Sequence, residues 1–316
     1  MFKRHCYLLL LVPIWLNCSF SSVNRPVVKM KASIDRLRED VSFLTKLAPP
    51  RKYSNLKSLD RAATFIEEEF AGAGLNTQKQ NWKVAGNEYS NVIASYNADK
   101  KERLIIGAHY DVCGDQAGAD DNASGVAGLL EIARMIAKAK PQLNYRIDFV
   151  AYSLEEPPYF DTENMGSFIH AKSLKEANVP VIGMLCFEMI GYFSDKPGSQ
   201  EFPTPQLKQL YPNTGNFIIV VGLQRQAGFN EKVYSLMRKD AAIDVQTISF
   251  PSAVGLGGLS DHRNYWHFGF PAVMINDTSF LRNPNYHKAS DTIKTLDFAK
   301  MAAVVDATFN AAIHLK

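Results

Sequence analysis

Apolar residues recur at Ile34, Leu37, Val41 and Leu44, the three-and-four spacing of one helix face, so a helix is predicted there. A second is predicted over 58–73, with Phe65, Ile66 and Phe70 on one side and Gly72 and Gly74 as its stop. The segments 76–84, 90–96 and 103–109 read as strands, and Leu104-Ile105-Ile106 is the short apolar run of a buried one. Val126, Leu129, Leu130, Ala133 and Ile136 define the next helix, and Ile147 to Tyr152 the next strand. Further strands fit 180–189, 216–222 and 271–276, with helices near 163–176, 229–240 and 296–313. Strands alternating with helices predict an α/β fold, a three-layer sandwich with a central mixed, mostly parallel sheet and helices on both faces. No internal repeat interrupts this order. The stretch from Gly191 to Thr214, with four prolines, reads equally as a solvated connector or a pocket wall. Length alone would suggest two domains, but the continuous alternation favours one over 28–316.

The first 21 residues do not fit that scheme. Lys3, Arg4 and His5 precede an apolar run from Tyr7 to Leu16, and small residues follow at Ser19 and Ser21. This is the form of an export signal cleaved after Ser21, so a periplasmic or secreted location is expected. The run is about ten residues, against the roughly 20 that cross a bilayer. A rival reading makes Cys18 a lipid-modified N-terminus, the one membrane link the sequence offers, although Asn17 stands where a small residue is usual. Two of the four cysteines lie in this leader, leaving Cys113 and Cys186, too few for a disulfide framework. No bond between them is expected. With 46% hydrophobic residues, 21% charged and a formal charge of +3, the chain has material for a core and no basic stripe for nucleic acid.

The chemistry-bearing residues sit where predicted strands end. The 103–109 strand runs into His109-Tyr110-Asp111, where residues i and i+2 share a face, so Asp111 could accept from one imidazole nitrogen while the other binds a metal. Alone, that triplet is weak evidence and is better explained by ordinary structure. Asp120-Asp121-Asn122-Ala123-Ser124-Gly125 precedes a helix, and one such residue would be a cap. Two acids there ask for more. Glu155-Glu156 leave the 147–152 strand; adjacent carboxylates repel unless a cation or proton relieves them. Glu188 ends the 180–189 strand, and Asn285-Tyr286-His287 lies in a polar loop. Three successive strands ending in a carboxylate or imidazole form the usual site of α/β sheets. Mixed His, Asp and Glu donors suit zinc, and this many carboxylates can hold two ions.

Over residues 30–316 these motifs resemble, in order and spacing, those of the M28 zinc aminopeptidases. His109-Tyr110-Asp111 matches the family's His-x-Asp, Asp121 to Gly125 the segment of the bridging acid, and Glu155-Glu156 its Glu pair. Glu188-Met189-Ile190-Gly191 matches the strand-end ligand, and Tyr286-His287 the last ligand with its Tyr. The resemblance implies a zinc-exopeptidase-like fold and two Zn²⁺, one held by His109 and Glu188, the other by Glu156 and His287, with Asp121 between. It implies Glu155 as general base, Tyr286 as the oxyanion donor, Asp111 as support for His109, and peptide substrates cut at the N-terminus. It also implies a cis peptide bond after Asp121, with Asp121 rather than Asp120 facing the ions.

Two departures stand out: Glu188 replaces the usual Asp, and Pro157 to Asn164 is an insertion of about five residues, either a pocket rim or a neutral loop. Ser260-Asp261-His262 invites a serine-hydrolase reading, but adjacent residues cannot fold back into a triad. For Asp261 and His262, substrate contact and plain structure weigh equally. Two rivals remain. A glutaminyl cyclase shares the resemblance, with one zinc and a different residue after the bridging acid, whereas this chain has Asn122. A non-catalytic ectodomain on a peptidase scaffold would typically have lost ligands, and none is missing here.

Overall fold

The computed structural model describes residues 30–316, so the predicted export signal and Cys18 lie outside the described residues. Eight strands, β1 (Asn76–Val84), β2 (Asn87–Tyr96), β3 (Arg103–His109), β4 (Arg146–Tyr152), β5 (Val181–Glu188), β6 (Phe217–Leu223), β7 (Asp244–Phe250) and β8 (Ala272–Asn276), form one sheet. Its order is β1-β2-β4-β3-β5-β8-β6-β7. The centre, β4-β3-β5-β8, is parallel, and β6 returns antiparallel to β8. The helices are α1 (Ile34–Thr45), α2 (Leu56–Gly72), α3 (Gly125–Ala139), α4 (Gly166–Glu176), α5 (Pro205–Leu210), α6 (Ala227–Arg238), α7 (His262–His267) and α8 (Phe298–His314). None among the described residues is long and apolar enough to cross a membrane.

Two cores follow from the period-two alternation of buried strands. Leu104, Ile106, Phe149, Leu185 and Phe187 face one way, toward α1, α2, α3 and α8. Ile105, Val150, Met184 and Cys186 face the other, toward α4 and α7. The predicted three-layer α/β sandwich with a mixed, mostly parallel sheet is therefore what forms. Details differ where packing overrides pattern. Ile34 opens α1 but points to solvent, while Leu37, Val41 and Leu44 are buried. Phe65 stays half-exposed and stacks on Phe43 at 3.9 Å. Apolar runs do not reveal β7, whose Val245-Gln246-Thr247-Ile248 is the mixed pattern of an edge strand. Nor do they reveal the short α5 and α7, whose lengths leave too few repeats to show a period.

His170 of α4 is buried in the second core, its Nδ1 2.6 Å from the Tyr265 hydroxyl. Burial pushes its pKa down to about 4, with Arg103 and Arg146 adding to the fall. A depressed imidazole contributes stability that is complete above pH ~6.5 and lost as pH falls toward the folded value. Each such group is worth up to about 3 kcal/mol across that window. Urea unfolding is therefore expected to weaken from pH 6.5 to pH 4, with a shallower slope in His170→Asn. An unchanged slope in the variant would refute the assignment.

Candidate active site

The site lies at the carboxyl ends of β3, β4 and β5. Parallel strands bring these ends side by side, so residues far apart in sequence share one crevice. Non-glycine residues with positive φ redirect the chain at three points: Leu154 before the Glu pair, Met189 after Glu188, and His287 itself. Such conformations are uncommon outside glycine and cluster at functional sites.

A network of backbone contacts aims Asp121. The bond between Asp121 and Asn122 is cis. The Asn122 amide donates to the Phe187 carbonyl at 3.0 Å and accepts from the Gly125 and Met189 amides at 3.0 and 3.1 Å. Ser124 accepts from the Ile190 amide at 2.9 Å. Asp120 turns away from the crevice, accepting from the Gly191 amide at 2.9 Å and Asn283 Nδ2 at 2.7 Å. Asp291 accepts from the Asp120 and Asp121 amides at 2.9 and 3.1 Å. The turn is thereby stitched to the end of β5, which sets Asp121 beside Glu188. It is Asp121 that enters the crevice.

Around Asp121 the predicted residues converge. His109 Nε2 lies 3.5 Å from Asp121 Oδ1 and 3.2 Å from Glu188 Oε2. His287 Nε2 lies 3.0 Å from Asp121 Oδ2 and 3.4 Å from Glu156 Oε2. Glu155 Oε2 is 3.8 Å from His109 Nε2. All are buried except His287, which is half-buried. Tyr286 stacks on the His287 ring at 3.8 Å.

Asp111 behaves differently from the expected imidazole partner. Its carboxylate accepts from the Glu155 and Glu156 amides, both at 3.1 Å, while His109 Nδ1 stands 3.6 Å away with no hydrogen-bond partner. That separation is too long for a hydrogen bond. The amides of the β4 turn take its lone pairs first, so Asp111 positions the Glu pair and faces His109 only as a charge.

The longer side chain at 188 is accommodated by Ser260, whose hydroxyl donates to Glu188 Oε2 at 2.6 Å. Sequence gave no signal for this contact beyond the extra methylene of Glu188. His262 Nε2 is 2.8 Å from the Gly257 carbonyl, and burial pushes its pKa down to about 4, so it is a neutral structural donor. Asp261 is fully buried with both oxygens unpartnered, and burial raises it to about 7. Arg51, also passed over in the sequence, is buried and donates to the carbonyls of Leu44, Tyr110, Ala117 and Gly118. The 157–164 insertion packs Tyr159 edge-on against Tyr53, and its Asp161 pairs with Arg263. Cys113 and Cys186 are free thiols, as expected.

The electrostatics show what the site needs. Burial drives Glu155 well above the usual carboxylate range; His109 opposes this, while Glu156 and Glu188 add to it. Burial and Asp121 push Glu156 up to about 8 against the pull of His287. Asp121, for which burial works upward, is held below the usual range by His109 and His287. His287 rises to about 10 because Asp121 and Glu156 outweigh its burial. Six acids therefore share a buried region with two imidazoles, a deficit that cations would relieve. The donors fit such ions. Ligand atoms of His109, Asp121 and Glu188 lie within 4.8 Å of one another, as do those of Cys113, Glu156 and His287, and of His109, Glu155 and Glu156. The unpartnered Oε1 of Glu156 shows that protein contacts alone do not satisfy this cluster.

Acids and imidazoles gathered at parallel strand ends, with more donors than partners, define a metal-dependent hydrolase. Residues 91–312 match Peptidase family M28, and the chain belongs to that family. It is a metal-dependent peptidase. The uncharacterized protein YfbL of Escherichia coli (strain K12) is 40% identical over 289 residues, 89% of this chain and 88% of that one. A probable leucine aminopeptidase of Trichophyton verrucosum is 30% identical over 67% of this chain, which spans 52% of that relative. Among solved structures, the LapA aminopeptidase of Legionella pneumophila has a TM-score of 0.71 at 22% identity, covering 90% of this chain and 72% of that one. A Bacteroides thetaiotaomicron glutaminyl cyclase has a TM-score of 0.68 at 17% identity, covering 91% and 99%. At such identities the likeness is one of fold.

Proposed function

We propose that this protein is an aminopeptidase using two zinc ions, exported from the cytoplasm by its N-terminal segment. The observation that carries the reading is the convergence of His109, Asp121, Glu156, Glu188 and His287, with Asp121 touching both imidazoles from opposite oxygens. His109 and Glu188 would hold one ion, Glu156 and His287 the other, and Asp121 both. Nitrogen and carboxylate donors in this mixture favour zinc over magnesium or calcium. Bound ions supply a polarised carbonyl and water of lowered pKa.

The remaining residues do the proton work. Glu155 sits beside the cluster without being needed as a ligand, and its raised proton affinity suits a base that takes a proton from attacking water and gives it to the leaving amine. The Tyr286 phenol is held protonated by burial and the surrounding carboxylates, so it can donate to a developing oxyanion. Asp111 keeps Glu155 and Glu156 aimed through their amides.

An apolar pocket of ≈ 90 Å³ supports a preference for apolar N-terminal residues. It is lined by Phe217, Ile219, Val221, Ile248, Phe250 and Met274 among others. Glu188 pairs with Asn276 across β5 and β8, and Asn276 with Ile219 across β8 and β6. Asn276 itself lines the pocket, so at about 4.8 Å per strand the pocket begins one strand from Glu188 on the same sheet face and extends past Ile219, two strands away. Gln200 to Pro203 close one side, which makes the proline-rich stretch a pocket wall.

A panel of aminoacyl reporter substrates is expected to show hydrolysis of leucyl, methionyl and phenylalanyl compounds well above glycyl and glutamyl ones, and loss of all activity with a chelator. Activity that survives chelation, or cyclisation of N-terminal glutamine without hydrolysis, would overturn the reading.

A further inference from the structure

Resting on the two-ion reading, we propose that Cys113 is a fourth protein donor at the ion position defined by Asp121, Glu156 and His287. Three observations combine. The Cys113 sulfur lies within 4.8 Å of ligand atoms of both Glu156 and His287, which are themselves 3.4 Å apart. Glu156 is buried, yet its Oε1 has no hydrogen-bond partner, so a group within reach of the thiol has unused coordinating capacity. The thiol is also held in place. The buried Arg51 guanidinium ties the carbonyls of Tyr110, Ala117 and Gly118 together, bracketing the loop that carries Cys113. Gly118, at φ +60°, packs so closely that an added Cβ would meet Val112 Cγ1 at 2.3 Å and the Asp121 carbonyl at 2.4 Å. This loop is clamped against the turn that aims Asp121.

The consequence is two unequal ion positions. By joining Asp121, Glu156 and His287, Cys113 would complete a closed four-donor set with a sulfur, of the kind that holds zinc structurally and discriminates against magnesium and manganese. His109, Glu188 and Asp121 make a three-donor set that leaves one position open, the catalytic arrangement. Glu155 Oε2 lies 3.8 Å from the Nε2 of His109, a member of that set. The sulfur-containing position should therefore fill first and release its ion last.

The test is cobalt substitution of the chelator-stripped full chain, read by metal analysis, visible ligand-field bands and the near-ultraviolet sulfur-to-cobalt charge-transfer band. The wild type and Cys186→Ser should show the charge-transfer band, and Cys113→Ser and Cys113→Ala should lack it. Both Cys113 variants should still bind cobalt, with affinity at one position lowered about tenfold or more. Ligand-field bands with bound cobalt but no charge-transfer band in the wild type would overturn the proposal and leave the two-ion reading intact. So would a band that persists in both Cys113 variants. Failure of the wild type to bind cobalt stoichiometrically would overturn both.

Discussion

Glu155→Gln is expected to lower kcat by about 10²–10⁴ while leaving metal content and unfolding midpoint close to wild type. Gln keeps the shape and the backbone contact that Asp111 makes with residue 155, because that contact is to the amide. What it removes is the ability to take a proton. It also removes one of the buried acids that crowd Glu156 and Glu188, so the fold loses no favourable ion pair beyond the 3.8 Å approach to His109. Glu156→Gln should behave in the opposite sense. Its carboxylate faces His287 at 3.4 Å, and its loss should loosen an ion before it slows the bound enzyme. Metal analysis beside kcat separates the two. Equal metal loss in both variants would show that the roles of 155 and 156 are wrongly divided.

Stripping the protein with a chelator is expected to abolish activity and also to destabilise the fold. Asp121, Glu155, Glu156 and Glu188 are packed together away from water, and without cations their charges are relieved only by two imidazoles and by taking up protons. An ion present at 100 times its dissociation constant stabilises the folded state by about 2.7 kcal/mol. For a chain of this size the unfolding midpoint should fall by about 5 °C or more on stripping. Zinc should restore both midpoint and activity. A midpoint indifferent to chelation, measured by scanning calorimetry, would mean that the acids are satisfied by protons alone and that the cluster is not an ion site.

The architecture was legible because burial writes itself into a sequence. Leu104-Ile105-Ile106 and Phe149-Val150-Ala151-Tyr152 are apolar on both faces, as the strands of a covered parallel sheet are. β7 was illegible for the same reason: an edge strand half open to water need not be apolar. The candidate donors were legible as polar residues at the ends of apolar strands. There were two exceptions: Asp121 was legible as one of two acids before a helix, and His287, a loop histidine with no such context, was singled out only by the family resemblance.

Contacts behind the site were hidden. Nothing in the spelling of Ser260, Asp291 or Arg51 says that one holds Glu188, another anchors the Asp120-Asp121 amides, and the third clamps the loop of Cys113. Asp111 shows the limit most plainly. Its two-residue spacing from His109 correctly placed both at one strand end, but the amides of the β4 turn, 44 and 45 residues on, decide which lone pairs are taken.

The sequence by itself determined the layers, the strand ends that carry acids and imidazoles, and the family, because hydrophobic period and motif spacing are local properties. Only the tertiary structure decided which oxygen faces which nitrogen, that Asp120 turns away while Asp121 enters the crevice, and that Cys113 meets Glu156 and His287. Those are distances between segments up to 174 positions apart, as Cys113 and His287 are, set by how the parallel strands register and by the hydrogen bonds that close each loop. No local pattern encodes them.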